Sequence, residues 1–343
     1  MPRRGGALPV SDAAALGCPD AFARGVPHDR LDRLRSRTPV VWQDAGAAER
    51  PGAWAVLRYA DVHYALTRPQ LFLPEDDGVL HGPRTDRPGL EHTGLEHTGL
   101  EHSGLEHTRL EHTRLEHPGG AERPRGRGDD PDAIPDGEPS RAPIDMDPPM
   151  AAMLDRIPPG DTVDFVRQVA HELPETLRNT LAGGLHALLR HPDEYARLRA
   201  ERRDERLIDS AVEEMLRWWT PVLQVRRRVR RATRVGAVPL LPGERVALWL
   251  VSANHDAEVF REPGRFAPER FLAERSAQGG RPHLCFGTGR RACLGARLAR
   301  AHLRAFLVAL LERPALAQAG GEPVMSRSSA RHGFERLPVR WNG

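Results

Sequence analysis

A stretch of repeats and low-complexity sequence divides the chain and limits which residues can build a core. Residues 89–118 hold six five-residue repeats with a shared Leu-Glu-His unit, and residues 119–145 are rich in proline, glycine and charge. A period of five matches neither the helical period of 3.6 nor the strand period of 2, so the repeat forms no apolar face. The sequence that follows has the composition of a disordered segment. We therefore predict an insertion at 81–144 between two folded parts of one domain, 1–80 and 145–343.

The histidines of the repeat leave a second interpretation open. They recur every five residues from position 92 to position 117, and histidine-rich tracts can bind metal ions. This spacing, with no cysteine among the repeats, defines no coordination shell. We favour a solvated insertion over a metal-binding tract.

Composition excludes several classes of protein. Three scattered cysteines in 343 residues make no disulfide framework and fit a reducing cytoplasm. The sequence shows no signal peptide and no apolar window of the roughly 18 residues that a membrane span needs. The net charge is +3, and the basic cluster at 225–234 lacks the interleaved aromatic residues of a single-strand binder. We expect a cytoplasmic protein that binds neither nucleic acid nor membrane.

The folded parts predict a mainly α architecture with a small β region. Short apolar runs at 40–42 and 54–57 predict strands, and the sequence YADVHYAL predicts a helix that ends before Pro69. Residues 161–190 read as broadly helical with a break at Pro174, and Pro192 begins another helix. Further helices are predicted at 207–221 and 295–312, with short strands between them over 232–254.

The sequence CFGTGRRACLG, residues 285–295, carries the clearest chemistry. Cys293 stands where a loop becomes a helix, and the positive end of the helix dipole lowers the pKa of a thiol there. Gly287, Gly289 and Gly295 let the backbone approach a flat ligand, and Arg291 can bind a carboxylate on that ligand. Haem is a flat ligand with a central metal and carboxylates at its edge, and a cysteine thiolate is one of its known axial ligands.

This segment resembles a known family. Its pattern, Phe286-Gly287-x-Gly289-x-Arg291-x-Cys293-x-Gly295, resembles the haem-binding signature of cytochrome P450, the haem-thiolate monooxygenases. The resemblance implies a P450 fold, a haem b cofactor and Cys293 as the axial ligand of its iron. Cys285 is then a packing residue and not a ligand.

Other motifs in the family's order add to the resemblance. Glu214 and Arg217 resemble its E-x-x-R pair, and Arg270 completes a Glu-Arg-Arg network that would hold the loop ahead of Cys293. Arg227 corresponds to a propionate-binding arginine, although Arg226 and Arg228 leave that register open.

Two further sites are implied with alternatives attached. His283 is similar to a second propionate contact, and its alternative is a solvated loop histidine. Glu175 and Thr176 resemble the acid–alcohol pair that relays protons during oxygen activation, a general-acid task.

The resemblance also breaks in two places. The sequence HELP at 171–174 replaces the expected first half of the oxygen-binding helix, and a helix expected after 145–156 is missing. We therefore expect a P450 fold truncated on its distal, substrate-roof side.

The resemblance implies monooxygenation of an apolar small molecule, such as a terpenoid, steroid or polyketide. Ferredoxin and ferredoxin reductase would act as electron donors, because the chain has no flavin or iron–sulfur segment. One alternative is a haem-binding relic without turnover. Another is an arginine-rich interaction protein without haem.

Overall fold

The computed structural model describes residues 12–44, 52–75, 147–272 and 283–342. The predicted insertion at 81–144, with its repeat at 89–118, lies outside the described residues. The α-helices are α1 Asp12–Leu16, α2 His28–Arg37, α3 Tyr59–Leu66, α4 Asp147–Leu154, α5 Glu175–Arg190, α6 Pro192–Ala200, α7 Glu205–Trp219, α8 Leu250–Asn254 and α9 Ala296–Leu311. Helices carry most of the regular structure, which confirms the mainly α class.

Short strands supply the small β region. They are β1 Val40–Gln43, β2 Ala53–Val56, β3 Phe72–Pro74, β4 Val163–Asp164, β5 Val225–Val229, β6 Thr233–Val235, β7 Val238–Leu240, β8 Arg245–Leu248, β9 Leu316–Gln318, β10 Val324–Met325, β11 Phe334–Arg336 and β12 Pro338–Trp341. The largest sheet has the order β1-β2-β8-β5-β3. Strand β2 pairs with β8 in parallel, so this sheet joins the beginning of the chain to its second half.

The two faces of the five-stranded sheet pack against different elements. One face carries small side chains, Ala53, Ala55 and Ala247, which let α1 and α2 approach closely. The other face carries larger aliphatic residues and packs against α3, α8 and Leu284. Because Leu284 immediately precedes the cysteine segment, this second face anchors that segment.

Helices α5, α7 and α9 share the main hydrophobic core. The apolar residues of α7 fall on one face, as predicted, and their side chains are buried. A Cβ on Gly183 of α5 would lie 2.1 Å from the ring of Trp219, and one on Gly184 would lie 2.2 Å from Met215. These glycines therefore set a close approach of α5 to α7, against which α9 also packs.

The helix predicted for the start of 161–190 is wrong. Val163–Asp164 forms strand β4 against β12, and Phe165–Val169 forms one π-helical turn. The side chain of Asp164 accepts from the backbone N–H groups of Val166 and Arg167 and so caps that turn. Pairing with a strand at the far end of the chain decides this conformation, which a local pattern cannot report.

Strand content was also overestimated at 250–254, which is helix α8. Among the described residues, no helix is both long and apolar enough to cross a membrane.

Candidate haem-thiolate site

The cysteine segment is a tight loop that leads into α9. Gly287 and Gly289 have φ values of +68° and +71°, the left-handed region that favours glycine. The backbone N–H of Cys293 donates to the carbonyl of Phe286 at 2.8 Å, which closes the loop. Gly295 precedes α9 with an ordinary φ of −83°, so its conformation does not itself require glycine.

Cys293 lies at the open surface of this loop. Its side chain is exposed, and so are those of Arg290 and Arg291 beside it. The apolar neighbours Leu294 and Leu298 are also exposed, Leu294 completely. By contrast, Cys285 is half-buried, and its sulfur lies 3.0 Å from the carbonyl oxygen of Leu216. The two cysteines therefore have different environments, with only Cys293 presented to a ligand.

Strand β5 places Arg226 and Arg227, whose register the sequence left open, on opposite faces of the sheet. Arg227 lies on the same face of β5 as Val225 and Val229, and this sheet face also packs against Leu284. Arg226 points to the opposite face, toward the small residues under α1 and α2, and is buried. Of these two side chains, Arg227 is therefore the one on the face that anchors the cysteine segment.

The structure brings Glu214, Arg217 and Arg270 together. Arg217 donates to the carboxylate of Glu214 through Nε at 2.7 Å and through Nη2 at 2.8 Å, and the Nε of Arg270 lies 3.0 Å from the same carboxylate. Arg217 also donates to the carbonyls of Asn254 and Pro263, and Arg270 to that of Arg261. Glu214 and Arg217 are completely buried, so the network fixes the 254–270 segment to α7.

His283 is buried, so the alternative of a solvated loop residue is wrong, while its contact with a propionate stays a prediction. Its side chain is fully buried, and Nε2 lies 3.0 Å from a carboxylate oxygen of Glu213. Nδ1 lies 3.3 Å from the backbone nitrogen of Cys285. Burial alone would lower the pKa of His283, but the Cys285 sulfur and the Glu213 carboxylate outweigh it and raise that pKa to about 9.

Glu213 is a residue that the sequence analysis missed. Its carboxylate also accepts from Arg300 of α9, through Nε at 2.6 Å and Nη2 at 2.9 Å. Burial alone would raise the pKa of Glu213, but the bonds from His283 and Arg300 lower it to about 2. The sequence signal was a second glutamate directly before Glu214, which by itself looks like a solvent-facing charge.

Glu175 and Thr176 lie in the first turn of α5, directly after Pro174. The carboxylate of Glu175 pairs with Arg331, and the side chain of Thr176 is exposed. Neither side chain hydrogen-bonds to the cysteine segment in the part of the chain that the structure describes. The pair therefore begins a helix here and does not sit in the middle of one, in agreement with the predicted truncation.

Comparisons with known proteins show which family the second half of the chain matches. Residues 168–334 match the family model "Cytochrome P450". The steroid C26-monooxygenase of Mycolicibacterium smegmatis is 38% identical over 167 residues, which are 48% of this chain and 39% of that protein. The cytochrome P450 monooxygenase PikC of Streptomyces venezuelae is 40% identical over 172 residues, 49% of this chain and 38% of that protein.

The fold gives the same answer. The solved structure of cytochrome P450-153 from Novosphingobium aromaticivorans has a TM-score of 0.68 and 25% identity, and the match covers 97% of this chain and 100% of that one. Over residues 168–334 the chain matches the cytochrome P450 family, and its fold is that of cytochrome P450. The matched segments span less than half the length of the curated relatives.

Members of this family use haem b with a cysteine thiolate on the iron, and the residues present fit that group. An exposed thiol at the mouth of α9 supplies the ligand atom, and the left-handed glycines keep side chains away from the backbone beside it. The exposed Leu294 and Leu298 give the surroundings an apolar surface. Arg291 and Arg227 offer guanidinium groups to carboxylates.

Proposed function

We propose that this chain is a haem-dependent monooxygenase that oxidises an apolar small molecule of the steroid, terpenoid or polyketide class. The observation that carries the proposal is the exposed Cys293 on a closed, glycine-bearing loop at the start of α9. The name of one relative, a steroid C26-monooxygenase, supports a steroid among these substrates, and the name of the other, a P450 monooxygenase, supports the reaction. Electrons would come from a ferredoxin and its reductase.

The residues have separate tasks in this proposal. Cys293 would hold the iron, while Arg291 and Arg227 would bind the propionates and so fix the plane of the cofactor. When bound, haem supplies the activation of dioxygen that places one oxygen atom in the substrate and reduces the other to water. Glu175 and Thr176 would hold and pass protons at the carboxylate and hydroxyl oxygens. The Glu214 network would keep the segment before the cysteine loop in place.

A specific observation favours a second candidate, a haem-binding chain without turnover. Glu175 is engaged by Arg331 and Thr176 is exposed in the first turn of α5. Both groups of such a proton relay are open to water, since the Glu175 side chain is 40% exposed and that of Thr176 is exposed.

The first test is spectroscopic. We expect Cys293→Ala to abolish the red-shifted absorption band of the reduced, carbon monoxide-bound protein, because no other cysteine is presented at the loop surface. Cys285→Ala is the matched control and should retain the band. Loss of the band in Cys285→Ala with its retention in Cys293→Ala would refute the assignment of the ligand.

Product formation then separates the two candidates. The haem-loaded chain, supplied with a ferredoxin, its reductase and a steroid, should form a hydroxylated product. A normal carbon monoxide spectrum without product, over a panel of steroids, terpenoids and macrolides, would favour the chain without turnover.

A further inference from the structure

Glu213 joins three elements around the cysteine segment. It lies on α7, its first partner His283 lies just before the cysteine loop, and its second partner Arg300 lies on α9 just after it. The contact is bidentate toward Arg300, the geometry in which a guanidinium holds a carboxylate most firmly. Both ends of the segment that carries Cys293 are therefore tied to one carboxylate.

A second contact extends this arrangement into the loop. The guanidinium of Arg300 lies over the ring of Phe286, 4.5 Å from its centroid, a cation–π distance. The backbone carbonyl of Phe286 is the acceptor that closes the loop onto the N–H of Cys293. Glu213 therefore contacts Arg300, Arg300 contacts Phe286, and the carbonyl of Phe286 holds the backbone N–H of Cys293.

The bond between Glu213 and His283 matters for stability because both side chains are largely buried. His283 is fully buried and Glu213 is 19% exposed, so loss of one partner leaves a charge in a poorly hydrated place. A neighbouring pair of the same two helices provides a contrast. Asp209 of α7 and Arg304 of α9 are 3.0 Å apart, but both side chains are 42% exposed, and exposed pairs contribute little.

We propose that Glu213 is a positioning residue that fixes the cysteine loop and the start of α9 through His283 and Arg300. It acts on Cys293 through these partners and does not touch the ligand itself. The neighbouring Glu214 does the equivalent for the 254–270 segment, so two consecutive carboxylates hold two different segments. This inference rests on the proposed function and assigns a role to residues that the function does not otherwise use.

Hydrogen–deuterium exchange of the purified full-length chain tests the proposal without requiring turnover. Glu213→Gln should speed amide exchange in 284–293 by about tenfold or more, because the bonds from the N–H groups of Gly287, Ala292 and Cys293 then open more often. Exchange in β5 and β8 should stay unchanged. Asp209→Asn is the matched control, since it removes a carboxylate that pairs with α9 without touching His283, and it should leave 284–293 unchanged.

Two further variants make the result specific. Arg300→Gln should raise exchange in the same segment, and the double variant Glu213→Gln/Arg300→Gln should add little, because both remove one shared interaction. If Glu213→Gln fails to fold, Arg300→Lys keeps the charge but loses the bidentate fork, and it should show a smaller increase confined to 284–293.

Unchanged exchange in 284–293, or an equal increase throughout the chain, would overturn the proposal. A chain that shows the local increase yet oxidises no substrate would leave the positioning role intact and count against the monooxygenase.

Discussion

At the scale of single residues, two adjacent glutamates show how one helix can serve two segments. Consecutive residues of an α-helix point about 100° apart, and Glu213 and Glu214 use that angle to face different partners. Glu214 is enclosed with Arg217 and Arg270, and Glu213 meets His283 and Arg300. Two adjacent glutamates therefore belong to two separate networks. Only the network of Glu214 is part of the family's E-x-x-R motif.

Thr176 allows a test of proton delivery at the same scale. Thr176→Ala removes the hydroxyl of the predicted pair, so we expect more hydrogen peroxide and less product per electron, with haem content unchanged. Thr180→Ala is the matched control, because its buried hydroxyl donates to the Thr176 carbonyl within the helix backbone. The measurement is peroxide released per reducing equivalent.

The exposure of Thr176 gives this experiment a clear contrary result. If the native chain and Thr176→Ala form product with equal peroxide ratios, Thr176 has no part in proton delivery.

At the scale of elements, the close contact of α5 with α7 depends on Gly183, which has no side chain. The Trp219 side chain cannot move away from an added methyl group at Gly183, because its ring stacks on two others. The ring centroids are 3.6 Å apart for His332 and 4.9 Å apart for Phe334. Its Nε1 also donates to the carbonyl of His332. We expect Gly183→Ala to destabilise the fold by about 1–3 kcal/mol and to lower the melting temperature by several degrees.

Gly264→Ala is the control for that substitution, since a Cβ there meets open space. It should change the melting temperature little. A Gly183→Ala protein that melts at or above the native temperature would show that the α5–α7 contact can adjust, since alanine itself favours a helix over glycine.

Elements with strong local signals could be predicted from the sequence. The apolar face of α7 and the proline at the start of α6 specify those helices without help from distant residues. The π-helical turn at Phe165–Val169 could not be predicted, because β12 determines the preceding strand from the other end of the sequence. The same reason hid the Glu213 network, whose partners lie 70 and 87 residues away along the chain.

At the scale of the whole molecule, buried and half-buried histidines should make stability depend on pH. Burial lowers the pKa of His28 to about 4, that of His186 to about 4 and that of His332 to about 3, and it lowers the pKa of His255 well below 6.5. Each folded-state value is below the ordinary 6.5, so the unfolded chain binds more protons as the pH falls. The stability is full above about pH 6.5 and is lost between pH 6.5 and 3.

His283 has the opposite dependence. Its pKa is raised to about 9, so its contribution is present below pH 6.5 and is lost as the pH rises toward 9. Chemical denaturation between pH 4 and 10 should therefore give a maximum near neutral pH. Constant stability from pH 7 to 4 would contradict the assignment of neutral, buried histidines.

One substitution tests the loss of stability below pH 6.5 separately. The Nδ1 of His186 is buried and has no hydrogen-bond partner within the described residues, and its ring contacts Trp219 and Phe334. His186→Phe should flatten the loss of stability below pH 6.5 while preserving the ring contacts. His171→Gln replaces an exposed histidine and should leave the slope unchanged.

The parallel pairing of β2 with β8 has a consequence for how the protein is made. Val56 and Leu248 are partners in that pair, so about 190 further residues must leave the ribosome before β2 meets β8. At the 5–20 residues per second of protein synthesis, that interval is on the order of 10–40 s. During this time the hairpin of β1 and β2 has a strand edge whose partner does not yet exist, and such edges pair readily with other chains. Growth conditions that slow translation would lengthen the interval in which nascent copies can aggregate through β2.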